Sequence, residues 1–393
     1  MASVHSITEE QRAILDTVRR FCKEEVVPRV ATLDANKDPL DCFSWEIIEK
    51  AHELGIRTMT LEEKWGGLGM DALTTSMVVE ELGIADLGTS VVLAQTFKIA
   101  QIMQLAFNED QKKRVLPAFA NDPRGVLAIG MTEPGNGSDK HTSFPVPFAS
   151  HAERVDGGWK LNGLKQFISN GNRASWYLVF AQTDRKKTMQ DGSTCFLLER
   201  GHSGFTIGRV HDKMGERLAN NAELVFQDCF VPDANVVGKV GDSVAVTANF
   251  SPFSNAYAGA SVLGVAVALY NKSVDWAKLR VQGGKPIIEH DGIRAQLSEM
   301  HMLIEASRAY IHRSAYLADH RDEGWDPTLG VLPKAMASQA AWKIATWTLE
   351  IHGGHGYMKE FGVEKLVRDA AAFLHSDGVN RTLFIKAARS LFR

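Results

Sequence analysis

Three short segments combine residue types that could hold a flat ligand with polar edges. In Met131-Thr132-Glu133-Pro134-Gly135-Asn136-Gly137-Ser138-Asp139, two glycines and two hydroxyls form a turn after an apolar run. Glycine lets main-chain N–H groups approach a ligand closely, and the hydroxyls add short donors. A loop with proline and two glycines also makes an ordinary turn, so this segment decides nothing alone. In Asn162-Gly163-Leu164-Lys165-Gln166-Phe167-Ile168-Ser169-Asn170, an aromatic side chain stands beside a hydroxyl at a strand end. That pairing suits a ring ligand, while the plain alternative for Phe167 is core packing. The third segment, His352-Gly353-Gly354-His355-Gly356-Tyr357, follows a helix ending in Leu349 and Ile351. Its glycines suit a C-cap and also leave room for a phosphate. It is neither a strand-borne GxGxxG nor a P-loop, which disfavours a nicotinamide or NTP fold. Its two histidines have no third ligand at metal spacing, so no metal is expected.

The elements that must position these segments change character twice along the chain. Thr8 with Gln11 reads as a capping box, and Ile14, Leu15, Val18, Phe21 and Cys22 recur at helical spacing until Pro28. Further helices are expected near 44–54, 72–85, 89–105 and 109–120, separated by breaks such as Trp65-Gly66-Gly67-Leu68-Gly69. Short β-rich runs then appear at 174–182, 194–198 and 223–226, with turns at Asp156-Gly157-Gly158 and Asp191-Gly192. Helical patterning returns afterwards, where Val262, Val265, Ala266, Leu269, Tyr270 and Val274 make one apolar stripe. The expectation is a mainly α protein with a β insert: a helical domain over 1–124, a β domain over 125–240 and a helical domain over 241–393.

The chain of 393 residues can bury a large core, and a net charge of −3 gives no field that would draw it to nucleic acid. Cys22, Cys42, Cys195 and Cys229 lie far apart in sequence, which argues for reduced thiols rather than a disulfide scaffold or zinc site. The polar start, Thr8 to Arg12, lacks the apolar stretch of a secretion signal or a membrane span, so a cytoplasmic protein without a membrane partner is expected.

Taken in order, the three segments resemble the acyl-CoA dehydrogenase family over nearly the whole chain. The resemblance also rests on Met214-Gly215 with Phe226 and Val231-Pro232, on Gly284-Lys285-Pro286 with Glu289-His290, and on Glu364-Lys365 running to Arg368-Asp369-Ala370. It implies an N-terminal helical domain, a middle β-barrel or sandwich domain and a C-terminal four-helix bundle, assembled as a homotetramer. It further implies FAD as cofactor, an acyl-CoA substrate and an electron-transfer flavoprotein as partner. By resemblance, Met131, Thr132 and Ser138 line the flavin, with Ser138 also near the CoA arm, and Phe167, Ile168 and Ser169 lie against the isoalloxazine. Arg280, Gln282, Glu350, Gly353 and Gly354 match positions that reach the distal half of a neighbouring subunit's FAD, with Arg280 on the pyrophosphate.

Where the family commonly carries a glutamate base in Tyr-Glu-Gly-Thr, this chain reads Ser376-Asp377-Gly378-Val379. Asp377 is thereby the candidate base, one methylene short, with Gly378 beside the substrate; the alternative is a turn-forming Asp-Gly that caps a helix. Asn255 stands where relatives often carry arginine in the substrate loop, and Gly283 where they carry phenylalanine. Val379 and Arg381 replace a common threonine and glutamine at the FAD-adenine end. The changes cluster around the pocket, which points to an unusual acyl group or altered chemistry. The implied reaction is α-proton removal by Asp377 with β-hydride transfer to flavin N5, the thioester oxygen being held by the Asp377 N–H and a ribityl hydroxyl. Two rivals share the scaffold: a flavin oxidase or monooxygenase on a substrate without CoA, and a non-catalytic FAD-binding subunit of a hetero-oligomer.

Overall fold

A computed structural model describes residues 7–138, 146–248 and 251–392, and Asp139 of the first turn lies outside them. The first third is helical: α1 (Glu9–Phe21), α2 (Val27–Asp34), α3 (Trp45–Glu53), α4 (Ala72–Ala85), α5 (Leu87–Ala106) and α6 (Glu109–Asn121). Thr8 and Gln11 form the reciprocal capping box at the start of α1. The expected break at Pro28 does not occur. A π-helical run over Cys22–Val26 shifts the register, and Pro28 then falls in the first turn of α2, where its missing N–H leaves no bond unmade.

The middle of the chain forms β1 (Leu127–Gly130), β2 (His151–Val155), β3 (Gly158–Ser169) and β4 (Trp176–Gln182). After a one-turn helix α7 (Met189–Gly192), at the place read as a plain Asp-Gly turn, come β5 (Ser193–Glu199), β6 (Phe205–Val210), β7 (Asn221–Pro232) and β8 (Val236–Val237). They make one sheet ordered β6-β7-β3-β2-β4-β5-β8, with β1 beside β4 in parallel. Tyr177, Phe196, Leu224 and Val231 alternate inward along their strands and pack as its core.

The last third contains α8 (Ser243–Ala248), α9 (Ser251–Leu279), a small hairpin of β9 (Val281–Gln282) and β10 (Lys285–Pro286), then α10 (Asp291–Asp319) and α11 (Leu332–His352). It ends with α12 (Gly354–Tyr357), α13 (Val363–Ala372) and α14 (Asn380–Leu391). Helix α9 is long and apolar enough to cross a membrane, but 78% of its most apolar window is buried inside the protein. Its sequence therefore reads as the central stave of the bundle. Gly83 of α4 and Gly264 of α9 allow the closest crossing: a Cβ on Gly83 would lie 2.3 Å from the Ser261 carbonyl oxygen. Backbones that meet this closely fix the helical domain against the bundle.

One junction ties all three parts. Lys365 of α13 is buried and donates to Asp369 at 2.7 Å and to Asp86, the residue that caps α5. Asp369 in turn accepts the Glu216 N–H at 2.7 Å, just after the β domain's Gly215. Burial opposes the charge on Lys365, but Asp369 and Asp86 outweigh it and hold the ammonium above its ordinary range. The segment Glu364 to Ala370 thus fixes α5 and the β domain relative to α13.

Candidate functional site

The first two segments meet through a buried ion pair. Where β1 ends, the chain turns so that Glu133 is buried while Met131 and Thr132 stay half-buried. Lys165 of β3 reaches across, its Nζ 2.7 Å from Glu133 Oε1, both side chains nearly inaccessible to water. Lys165 also donates to the Met131 carbonyl at 3.2 Å, and the Gln166 N–H donates to the Thr132 carbonyl at 2.8 Å. Glu133 completes its shell with the N–H groups of Ala149 at 2.7 Å and Ser150 at 2.9 Å. Burial pushes the Lys165 ammonium down to about 8, with Glu133 opposing. Two loops remote in sequence are stapled into one wall.

That wall presents an aromatic ring because β3 bulges. The β3–β7 register slips between Lys165 and Ile168, which throws Phe167 out of the ladder at a φ of 59°. A positive φ costs an aromatic residue roughly 1–2 kcal/mol, so the surrounding structure must hold it there. Asn221 contributes by donating to the Phe167 carbonyl at 2.9 Å and to Ser169 Oγ at 3.3 Å. Phe167 is 54% exposed, with His211 against its ring at 4.6 Å between centroids. Core packing, the plain alternative for Phe167, does not occur. Ile168 takes that place instead: its side chain is buried in the sheet's core, so only its main chain can face a ligand.

Asp377 sits in the turn between α13 and α14. The N–H groups of His375 and Ser376 return to the Ala372 carbonyl, and Asp377 and Gly378 both take positive φ, 52° and 98°. Aspartate tolerates this left-handed region better than most residues. The residue that enters α14 is Val379, and the Asp377 carboxylate turns toward α5, where Lys98 Nζ lies 2.7 Å from its Oδ2. Gln95, one turn earlier on α5, comes to 3.5 Å. Beneath the turn, buried Lys334 of α11 donates to the Gly378 carbonyl at 2.7 Å and to Asn380 Oδ1 at 3.0 Å. Burial pushes the Lys334 ammonium down to about 8; Asp377 opposes the shift and Lys98 adds to it. Above the turn, the Val379 N–H donates to Ser138 Oγ at 3.1 Å. Ser138, on the loop after β1, and Asp377 are thereby brought into one site.

The remaining residues lie elsewhere. Asn255, on the second turn of α9, donates through Nδ2 to the Gly330 carbonyl at 2.5 Å. Its Oδ1 is buried without a hydrogen-bond partner among the described residues. Arg381 is exposed on the first turn of α14. Arg280, Gln282, Glu350, Gly353 and Gly354 gather at the opposite end of the bundle. There Trp276 of α9 stacks on His352 at 5.4 Å, and the two glycines face open space. Helix geometry puts Gly353 roughly 28 Å along α11 from Lys334. A single chain therefore does not bring this group to Asp377.

Sequence reasoning missed Lys98, Gln95, Lys334, Asn380 and His211. For Lys98 the signal was present: it is the one charged residue among the twenty of α5. Lys334 and Asn380 carried no such mark.

The residues present fit the FAD that the resemblance implies. An exposed ring on Phe167, hydroxyls on Thr132, Ser138 and Ser169, and open space beside Gly135 and Gly137 make a place for a flat ring with polar edges. Comparison with known proteins agrees. The N-terminal, middle and C-terminal domain models of acyl-CoA dehydrogenase match residues 8–122, 128–229 and 253–392. A short-chain-specific acyl-CoA dehydrogenase of Megasphaera elsdenii is 32% identical over 99% of both chains. The solved butyryl-CoA dehydrogenase from that organism superposes with a TM-score of 0.90 at 32% identity, covering 99% of this chain and all of the other. A chain solved in work on the electron transferring flavoprotein of Acidaminococcus fermentans gives 0.91 at 30% identity, with both chains fully covered. With this agreement along its whole length, the chain belongs to the acyl-CoA dehydrogenase family and is an FAD-dependent oxidoreductase.

Proposed function

We propose that the protein desaturates an acyl-CoA thioester between Cα and Cβ, with Asp377 as the base. The observation that carries this is the placement of the Asp377 carboxylate on a strained turn tied to Ser138 above and to Lys334 below. Strain of this kind, held by surrounding bonds, marks a residue fixed for a task. Asp377 takes the α-proton, and the same turn offers the Asp377 N–H to the thioester oxygen, where negative charge develops. Lys334 holds the turn through the Gly378 carbonyl, which compensates in rigidity for a base one methylene short. Bound FAD supplies the acceptor for the β-hydride. Met131, Thr132, Ser138, Phe167, the main chain of Ile168, and Ser169 position its ring. Asn255 and Gly378 border the acyl group.

Arg280, Gln282, Glu350, Gly353 and Gly354 serve the distal half of the cofactor across a subunit boundary in a homotetramer, while Arg381, on the first turn of α14, stands at the cofactor's adenine end. Leu279 and Tyr357, each 78% exposed at that end of the bundle, support burial against a second copy. The division into domains at about 124 and 240, an electron-transfer flavoprotein as acceptor and a cytoplasmic location complete the reading.

Anaerobic bleaching of the flavin by a panel of acyl-CoA thioesters tests it, with wild type compared to Asp377→Asn. Bleaching in wild type that is lost in the variant, with FAD retained, is the expected result. Undiminished bleaching in the variant removes Asp377 from the mechanism. Reduction only by substrates without CoA, with peroxide release in air, favours the oxidase alternative, and FAD without turnover until a homologous partner is added favours the non-catalytic subunit.

A further inference from the structure

Lys98 is out of keeping with a site for a plain hydrocarbon chain. It is the sole charge on α5, its side chain is 1% exposed, and its ammonium pairs with the carboxylate proposed as base. Around it α5 shows a polar stripe, Gln95, Lys98 and Gln101, at successive turns. Gln101 Oε1 accepts the hydroxyl of fully buried Tyr257 from α9 at 3.1 Å. The second buried lysine, Lys334, lies beneath the same turn.

The pairing also works against the chemistry. The Lys98 ammonium sits on Oδ2, one of the two carboxylate oxygens that could receive the α-proton. Once Asp377 has accepted the α-proton its carboxyl is neutral, and buried Lys98 has no other ion-pair partner among the described residues, an arrangement proteins avoid. Both difficulties disappear if the substrate brings an anion that takes over the ammonium.

We propose that Lys98 selects acyl-CoA thioesters whose acyl group ends in a carboxylate, that is, thioesters of short dicarboxylic acids. The tail must be short because Lys98 contacts the very carboxylate that faces Cα. On binding, the tail carboxylate takes the Lys98 ammonium from Asp377, which uncovers Oδ2 at the moment the α-proton is in reach. The α-proton passes to Asp377, the β-hydride leaves to the cofactor, the Cα–Cβ double bond forms, and the tail carboxylate is unchanged. A neutral acyl chain leaves Lys98 on Asp377 and reacts slowly. This inference rests on the dehydrogenase reading above and names its substrate class.

The test uses the FAD-loaded protein with succinyl-CoA and glutaryl-CoA against butyryl-CoA and hexanoyl-CoA. Both anaerobic bleaching rates and equilibrium dissociation constants are measured, for wild type, Lys98→Met and Lys98→Arg. Wild type is expected to prefer one dicarboxylyl thioester in both measures by at least about tenfold, the range of a charge-assisted hydrogen bond. Lys98→Met loses that preference while keeping FAD, and Lys98→Arg keeps much of it. Equal rates and affinities for charged and neutral tails in wild type overturn the inference while leaving the dehydrogenase reading intact. So does a preference that survives Lys98→Met. If no thioester bleaches the flavin, the dehydrogenase reading fails separately. The affinities then decide: tighter dicarboxylyl binding that depends on Lys98 sustains the site, and equal binding removes it.

Discussion

Replacing Glu133 by glutamine keeps the shape of the staple between the turn after β1 and strand β3 but removes the charge opposite Lys165. Both side chains are buried, and the glutamate also accepts the Ala149 and Ser150 N–H groups. Breaking a buried pair by removing one partner costs roughly 3–5 kcal/mol, because the other charge is stranded. The lower end, about 3 kcal/mol, is expected here, since the Lys165 ammonium already sits near 8 and can shed its proton. With an unfolding entropy of about 2.1 cal/mol/K per residue over the chain, that loss lowers Tm by roughly 4 °C. Thermal and urea unfolding of the FAD-loaded protein, with FAD content measured, provide the assay. The sign of the pH effect is also fixed. Lys165 has a folded value of about 8, below its ordinary 10.5, so the unfolded chain holds more protons in between and stability from this group rises with pH across that window. In the variant the rise begins at lower pH. The double change Glu133→Gln with Lys165→Met leaves no buried charge, keeps an amide oxygen for the Ala149 and Ser150 N–H groups, and recovers most of the loss. A single variant that costs less than about 1 kcal/mol, or a double variant no better than the single one, refutes the argument that the pair is stranded by removal of one partner.

Lys334→Met removes the donor to the Gly378 carbonyl and Asn380, so bleaching by the best thioester falls by roughly tenfold or more, with FAD content maintained. The same variant flattens the part of the stability–pH curve that lies between about 8 and 10.5, the window in which the folded Lys334 has lost a proton that the unfolded chain retains. The four thiols resist modification in the native protein. Burial pushes Cys22 up to about 12 and Cys229 to about 11, and raises Cys42 and Cys195 as well. A colorimetric thiol reagent at pH 8 therefore titrates four groups only after unfolding, and rapid reaction of any of them in the native protein contradicts the burial described.

The order of helical, β and helical regions was legible because hydrophobic period changes where the structure changes, and the expected helices near α3 to α6 fall within a few residues of those observed. Periodicity is blind to what tertiary contacts decide. The π-helical run before Pro28 keeps apolar residues at helical spacing, so nothing in composition separates it from a helix end. The bulge that exposes Phe167 is a register event between β3 and β7, set by a partner strand more than fifty residues away. Ile168, its neighbour, was placed with it by motif alone, and the alternation of a strand sends its side chain the other way.

The candidate base shows the same division more sharply. A motif can align Asp377 with a glutamate, but its environment is built from α5 and α11, more than two hundred and about forty residues away in sequence. Lysine in the middle of a twenty-residue buried helix is expensive unless its charge is answered, and this was visible from the sequence of α5 alone. What the sequence could not supply was the answering group. Once Asp377 is seen to be that group, a lone charge on an apolar helix ceases to be an exception to core packing and becomes a constraint on the substrate. Among the described residues, the Asp377 carboxylate is answered by two buried lysines at the same turn, and with Asp377 as the proposed base its charge is removed at each turnover. An anion carried in by the acyl group is the simplest way for that turn to stay neutralised through the reaction.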